Sequence, residues 1–285
     1  ANDEGFGRTG PTELRQWNDT APEIAIGMEG SPGHQAAGLV PERYPKRPLL
    51  RGNYPWIPTR GGFDIMTAEL GGVWDSMLGE GRRWWITGTS DSHRHWSEGG
   101  NDFWPGEYSK TYVYANKTYS DILQSLREGR VFVTTGDLIS ELEFTVGADG
   151  AEASIGETLE IVGASNVQVT IRLRDPSAAN GNGEDPSVAR VDLITGNVDP
   201  ALIEAAGDIN PSTSVVHRFT AADWVRDGDY LFMTHEFSEV RDAMYVRVRG
   251  TSTAELEPEP DVIDEDPWQD LWFYSNPVFV LVASE

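Results

Sequence analysis

Arg83-Trp84-Trp85-Ile86-Thr87-Gly88-Thr89-Ser90-Asp91-Ser92-His93 is the stretch on which the reading of this chain turns. Its first part is a short apolar run, which reads as a strand buried in a sheet. That run passes without a spacer into a polar turn carrying a carboxylate and an imidazole two residues apart. At the carboxyl end of a strand in an α/β barrel, side chains point into a shared mouth. Asp91 and His93 are therefore placed to converge on one cation. An Asp-capped turn with a solvated His has the same residues, and both readings stand on the pattern alone.

Working outward, Glu23–Met28 reads as an earlier buried strand, ended by a tight loop at Gly30, Pro32 and Gly33. Five prolines between Pro41 and Pro58 forbid regular structure there. Thr67 reads as an N-cap, and Leu70, Val73, Trp74, Met77 and Leu78 follow at helical spacing up to Gly81. Tyr112–Tyr114, a short helix from Ser120 to Gly129, and Val131–Val133 complete a strand–helix–strand order that predicts parallel pairing with crossover helices.

The texture changes near residue 139. Beyond it, strand candidates follow one another with little helical periodicity: Glu141–Val146, Thr158–Ile161, Val167–Leu173, Arg190–Ile194, Val215–Phe219, Tyr230–Thr234, Met244–Val248 and Val278–Val282. This is the pattern of a β-sandwich. The expected fold class is α/β plus all-β, divided into residues 1–139 and 140–285.

Composition narrows the function classes. The 285 residues carry 46 Asp and Glu against 22 Lys and Arg, a formal net charge of −24. So negative a surface repels phosphate backbones, so nucleic acid is not an expected partner. It suits a salty or calcium-containing medium, in which cations screen self-repulsion. The chain has no cysteine, which removes disulfides, thiolate chemistry and Cys-ligated zinc. No apolar run reaches the ~20 residues of a membrane span. The start, Ala1-Asn2-Asp3-Glu4-Gly5, is expected to be a processed or truncated end, since it has neither a Met nor a basic leader.

Trp74-Asp75-x-x-Leu78-x-x-Gly81-Arg82 followed by Gly88-Thr89-Ser90-Asp91-Ser92-His93 resembles the last third of a PHP-domain metal-dependent phosphoesterase. Met28–Gln35 and Ile122–Gly136 fit the same family. Trp272–Val280 resembles the closing strand of the β domain in its secreted relatives. The resemblance implies the C-terminal part of a distorted (β/α)7 barrel followed by an immunoglobulin-like β-sandwich. It implies a secreted or periplasmic hydrolase with divalent metals (Mn, Zn or Fe) at the barrel mouth. The family's final Asp-x-His metal motif maps onto Asp91 and His93. Glu29 and His34, on the earlier strand and its loop, are candidate further ligands. Arg94 and His95, with Asp102 nearby, are candidate contacts to a substrate anion.

PHP domains open with a His-x-His motif, whereas here His93-Arg94-His95 is the sole such motif and follows the last strand. The expectation is a C-terminal portion that pairs with a missing N-terminal half or with a second copy. A metal hydrolase of small phosphoesters or related esters is the first reading. A secreted adhesive protein on a degenerate PHP scaffold and a carbohydrate-binding module are the alternatives. The acidic loops Asp175–Asp185 and Glu255–Asp270 are candidate Ca²⁺ ligands, and the aromatics Trp84, Trp85, Trp96, Phe103, Trp104 and Tyr108 a candidate stacking platform. His217 and His235 read as structural.

Overall fold

A computed structural model describes residues 9–36, 58–92, 103–261 and 265–283. The described residues are mostly β-sheet, with 40% of them in strands and 17% in helices. The amino-terminal part contributes α1 (Pro11–Thr20), β1 (Gly27–Pro32), α2 (Gly33–Ala36), α3 (Ile65–Ala68), α4 (Val73–Gly79) and β2 (Trp85–Thr89). The middle follows with β3 (Ser109–Val113), α5 (Tyr119–Arg127), β4 (Val131–Thr135), β5 (Glu141–Ala148), β6 (Ala151–Ser154), β7 (Thr158–Val162) and β8 (Ser165–Arg174). The remainder is β9 (Arg190–Asn197), α6 (Pro200–Ala206), β10 (Ser214–Phe219), β11 (Val225–Asp227), β12 (Tyr230–Val240), β13 (Met244–Thr251), β14 (Trp272–Ser275) and β15 (Val278–Ala283).

These strands form three sheets, and among the described residues none closes into a barrel. β1 and β2 make a parallel pair. The largest sheet runs β10-β9-β13-β14-β4-β3, with β15 beside β13 and β7 beside β15. The third runs β11-β12-β8-β5-β6. Strands from both sides of residue 139 share the largest sheet, because β4 pairs with β14 through Val133↔Tyr274.

Period-two alternation accounts for the layering. In β8, Val167, Val169, Ile171 and Leu173 are buried while Asn166, Gln168 and Thr170 are exposed. Their apolar face meets Val246 and Val248 of β13, Phe273 of β14 and Val278 of β15 in one core. The opposite face of the large sheet is covered as well. Tyr245, Trp272, Tyr274 and Phe279 pack there against Trp74, Met77 and Leu78 of α4 and Trp85 and Ile86 of β2. β13 is consequently buried along its whole length.

A charge lies inside the second interface. Asp75 on α4 accepts two bonds from Arg247 on β13, from Nε at 2.9 Å and from Nη2 at 2.8 Å. The Tyr245 hydroxyl and the Gly71 N–H also donate to this carboxylate, at 3.0 and 2.8 Å. Asp75 and Arg247 are 1% and 0% exposed, so each ion is stable there only because the other is. Burial, and then the Asp75 carboxylate, push the Tyr245 hydroxyl well above its ordinary value, keeping it a donor.

β14 and β15 lie along the same side of β13 with a bend at Asn276-Pro277 between them, Arg249 facing Tyr274 before it and Val246 facing Val278 after it. At the bend the sheet parts, β14 pairing with β4 and β15 with β7. The Asn276 amide fills the gap. It accepts from Ile86 N–H at 2.9 Å and donates to the Ile86 and Gly129 carbonyls at 3.4 and 3.2 Å. Thr111 Oγ1 does the same for Gly88, accepting from its N–H and donating to its carbonyl. The outer edge of β2 is thus bonded to side chains where a further strand would otherwise sit.

The structure moves several expected elements. The first strand lies at Gly27–Pro32, running through Gly30 and Pro32, which close contact with Ile86 and β2 accommodates. Asp64, not Thr67, caps the first helical turn, and the apolar stripe splits at Gly71-Gly72 into α3 and α4. β3 and β4 are antiparallel. A crossover helix buries its apolar face on the sheet, whereas Ile122 and Leu123 of α5 stay 36% and 51% exposed; α5 is an insert within a hairpin.

Asp75→Asn leaves the Arg247 charge buried without its counter-ion and is expected to cost about 3–5 kcal/mol in urea unfolding. Asn276→Leu strands the Ile86 amide group and is expected to cost about 1–3 kcal/mol by the same measurement.

Candidate metal centre

β1 and β2 run in the same direction, so their carboxyl ends lie side by side. Glu29 stands opposite Thr87 on that rim. The Thr89 hydroxyl donates to Glu29 Oε1 and accepts the Asp91 N–H at 3.2 Å. One hydroxyl therefore ties the Glu29 carboxylate to the backbone of Asp91. Asp91 sits in the left-handed region, with φ of 45°, which Asp tolerates better than most residues and which turns the chain sharply as it leaves β2.

A third carboxylate joins them. Asp64 donates its N–H to the Gly30 carbonyl at 2.9 Å and caps α3 by accepting from Met66 N–H at 2.8 Å. Burial raises the Asp64 carboxyl above its ordinary value, against the opposing Met66 bond. Glu29 reaches solvent, yet the protein packed around its carboxyl raises it too; the Thr89 bond opposes this, and the charges of Asp91 and Asp64 add to it. Like charges gathered on one rim are costly alone and are relieved by a cation. The sequence signal for Asp64 was its cap position before Ile65-Met66-Thr67, legible as a helix start but not as a site.

His34 lies on α2, directly after β1. His93, Arg94, His95 and Asp102 lie outside the described residues, as does Trp96. Trp84 and Trp85 are 1% and 3% exposed, with Trp85 Nε1 donating to Arg127 O at 2.9 Å. Phe103 stacks on Tyr108, and Trp268 meets both edge-on. Trp84, Trp85, Phe103 and Tyr108 of the expected stacking platform are therefore core. A shallow cleft of about 370 Å³ does run along β1 beneath Glu29, lined by Trp17, Ile24, Met28, Trp84 and Thr87.

A second acidic group falls in one of the two loops expected to bind Ca²⁺. Carboxylate oxygens of Asp261, Glu265 and Asp270 lie within 4.8 Å of one another. Asp261 and Asp270 are buried, at 4% and 6% exposure. Asp261 is also structural. It accepts from the Thr59 hydroxyl and from Gly61 N–H at 2.7 Å, holding the left-handed Gly61-Gly62 turn against Trp272 and Tyr108. This buried acidic triad offers the oxygen donors that a hard cation takes. In the other loop Asp175 is bonded to Arg226 and to Val188 N–H, which makes it an anchor between strands.

Comparisons with protein-family models, curated proteins and solved structures give no match. Among the described residues no helix is long and apolar enough to cross a membrane.

Because the Glu29 carboxyl is raised above 4.5 in the fold, its ionised form opposes folding. That penalty is full above the raised value, shrinks as pH falls through it, and is gone below 4.5. Metal-free Glu29→Gln is therefore expected to melt above the parent at pH 8 and level with it at pH 4. Added Mn²⁺ is expected to stabilise the parent at pH 8 and to do less for the variant.

Proposed function

We propose that this chain is the C-terminal part of a PHP-type metal-dependent hydrolase acting on small phosphoesters or related esters outside the cell. The observation behind the reading is that the Glu29 carboxylate, bonded to Thr89 at the end of β2, feels the charges of Asp91 and Asp64. The resemblance maps a metal motif onto Asp91, and Asp91 follows the buried strand β2, whose last residue bonds Glu29.

The donor set suits a divalent ion. Glu29 and Asp91 would hold it, with Asp64 as a further oxygen and His93, two residues on, as the imidazole. When bound, such an ion polarises a phosphoryl oxygen and lowers the pKa of water. The chain's own residues do the positioning. Thr89 fixes Glu29 against the Asp91 backbone, the apolar cleft along β1 excludes water from one side, and Arg94 and His95 would meet the anion. The barrel-fragment reading also gives β1 a role. Among the described residues nothing pairs with its far side, where the missing N-terminal half or a second copy would add its strands. The two facing sheets are then the immunoglobulin-like accessory domain.

One observation favours the carbohydrate-binding alternative. A polar hollow of about 390 Å³ on the outer face of the five-stranded sheet is lined by Asn166, Gln168, Thr170 and Glu236, side chains suited to sugar hydroxyls.

The test is turnover of an aryl phosphate by the purified chain, alone and with its missing half, after loading with Mn²⁺, Zn²⁺ or Fe²⁺. Metal-dependent turnover abolished by Asp91→Asn, with the unfolding midpoint unchanged, is the expected outcome. No turnover under any loading, together with glycan binding lost in Gln168→Ala, would transfer the function to the β-sheet face.

A further inference from the structure

The two large sheets approach one another at an open edge, between β10 of one and β12 of the other, and each brings a histidine to it. In β12 the inward positions read Leu231, Met233, His235 and Phe237; in β10, past a bulge after Val215, they read His217 and Phe219. Alternation reserves such positions for apolar side chains, and Phe219 and Met233 are 1% and 3% exposed. An imidazole occupies the facing position on both sheets. Each ring rests edge-on against its own phenylalanine, His217 on Phe219 at 4.4 Å and His235 on Phe237 at 4.7 Å. The two imidazole centroids are 5.2 Å apart and tilted by 35°.

That spacing has a chemical meaning. Zinc–imidazole bonds are about 2.0–2.1 Å long, so two rings sharing a tetrahedral ion have centroids about 5.2 Å apart.

We propose that His217 and His235 form a two-imidazole clamp for a borderline divalent cation of the Zn²⁺, Cu²⁺ or Ni²⁺ class, fastening the two sheets at their open edge. The chemistry around the pair suits it. Asp223, in the turn after β10, is held below its ordinary value by its bonds to Thr220 and then by His217, which sets a negative charge beside the opening. Burial, and then the His217 ring, lower His235, favouring the neutral imidazole that binds metals. Two protein ligands leave the remaining positions to water, so the clamp is structural and exchangeable. It is separate from Glu29, Asp64 and Asp91, and stands whether or not that rim is catalytic.

The experiment is a Cu²⁺ titration of the metal-free full chain, followed by electron paramagnetic resonance. Wild type, His217→Gln, His235→Gln and His93→Gln are compared. The expected result is a spectrum with two equatorial nitrogens, kept in His93→Gln, with at least tenfold weaker binding in each of the other two variants. Zinc is expected to raise the melting temperature of wild type by more than that of either clamp variant. Long-range ¹H–¹⁵N spectra of wild type with one equivalent of Zn²⁺ provide a reading that needs no variant: two imidazoles from the β-sheet region shift together. Unchanged binding in both clamp variants, loss in His93→Gln alone, or unshifted His217 and His235 resonances overturns the proposal.

Discussion

The contact between Asp75 and Arg247 is the constraint around which the layers are arranged. α4 packs on the large sheet through aromatic surfaces, but aromatic area alone fixes neither the position of a helix on a sheet nor its rotation. A two-pronged bond between a guanidinium and a carboxylate fixes both. Arg does what Lys could not, because its planar fork matches the two oxygens while its face lies over the Trp74 ring at 4.8 Å. A second buried knot repeats the device one register along, where Arg190 and Arg249 both bond Asp192. The face of the large sheet toward α4 therefore carries charge inside a mostly apolar interface.

This arrangement holds the candidate metal rim. β1 and β2 alone would be a two-stranded pair of marginal stability. The helices cover one face, and Asn276 and Thr111 hold the outer edge of β2 to the sheet beside it. Glu29 thus projects from a strand fixed by packing and Asp91 from the turn after its partner, with Thr89 at the end of β2 bonded to the carboxylate of the one and the backbone of the other. A site built on strand ends is more rigid than one built on loops, and like-charged carboxylates stay close only if the backbone beneath them does not yield.

How much of this was legible in the sequence depends on how local each signal is. The strand ending at Thr89 and the polar turn at Asp91 were readable because a buried apolar run and its exit lie within a few residues. Alternation placed β5, β8 and β13 within a residue or two at their starts. α6 was missed, although Asp199-Pro200 is an ordinary helix start, with Asp199 accepting from Ala201 and Leu202 N–H. The antiparallel pairing of β3 and β4 was hidden, since helix direction relative to a sheet is a tertiary outcome. Asp64 was illegible as a site for the same reason. The acidic loop Glu255–Asp270 was readable as a candidate for a cation, but which three of its carboxylates gather was not, since Asp261 is placed by its bonds to Thr59 and Gly61 far upstream. Asp75, quoted as part of a family motif, proved to be the interior anchor.

The amide of Asn276 stands 190 residues downstream of the strand whose edge it completes. A ribosome makes the amino-terminal layer first, yet the groups that satisfy β2 and the sheet that covers α4 emerge only with the final strands. Until then Trp74 and Trp85 lack the part of their packing that Tyr245, Trp272, Tyr274 and Phe279 supply. The layer carrying the carboxylates must wait, open to chaperones and proteases, for the last tenth of the chain before it can set.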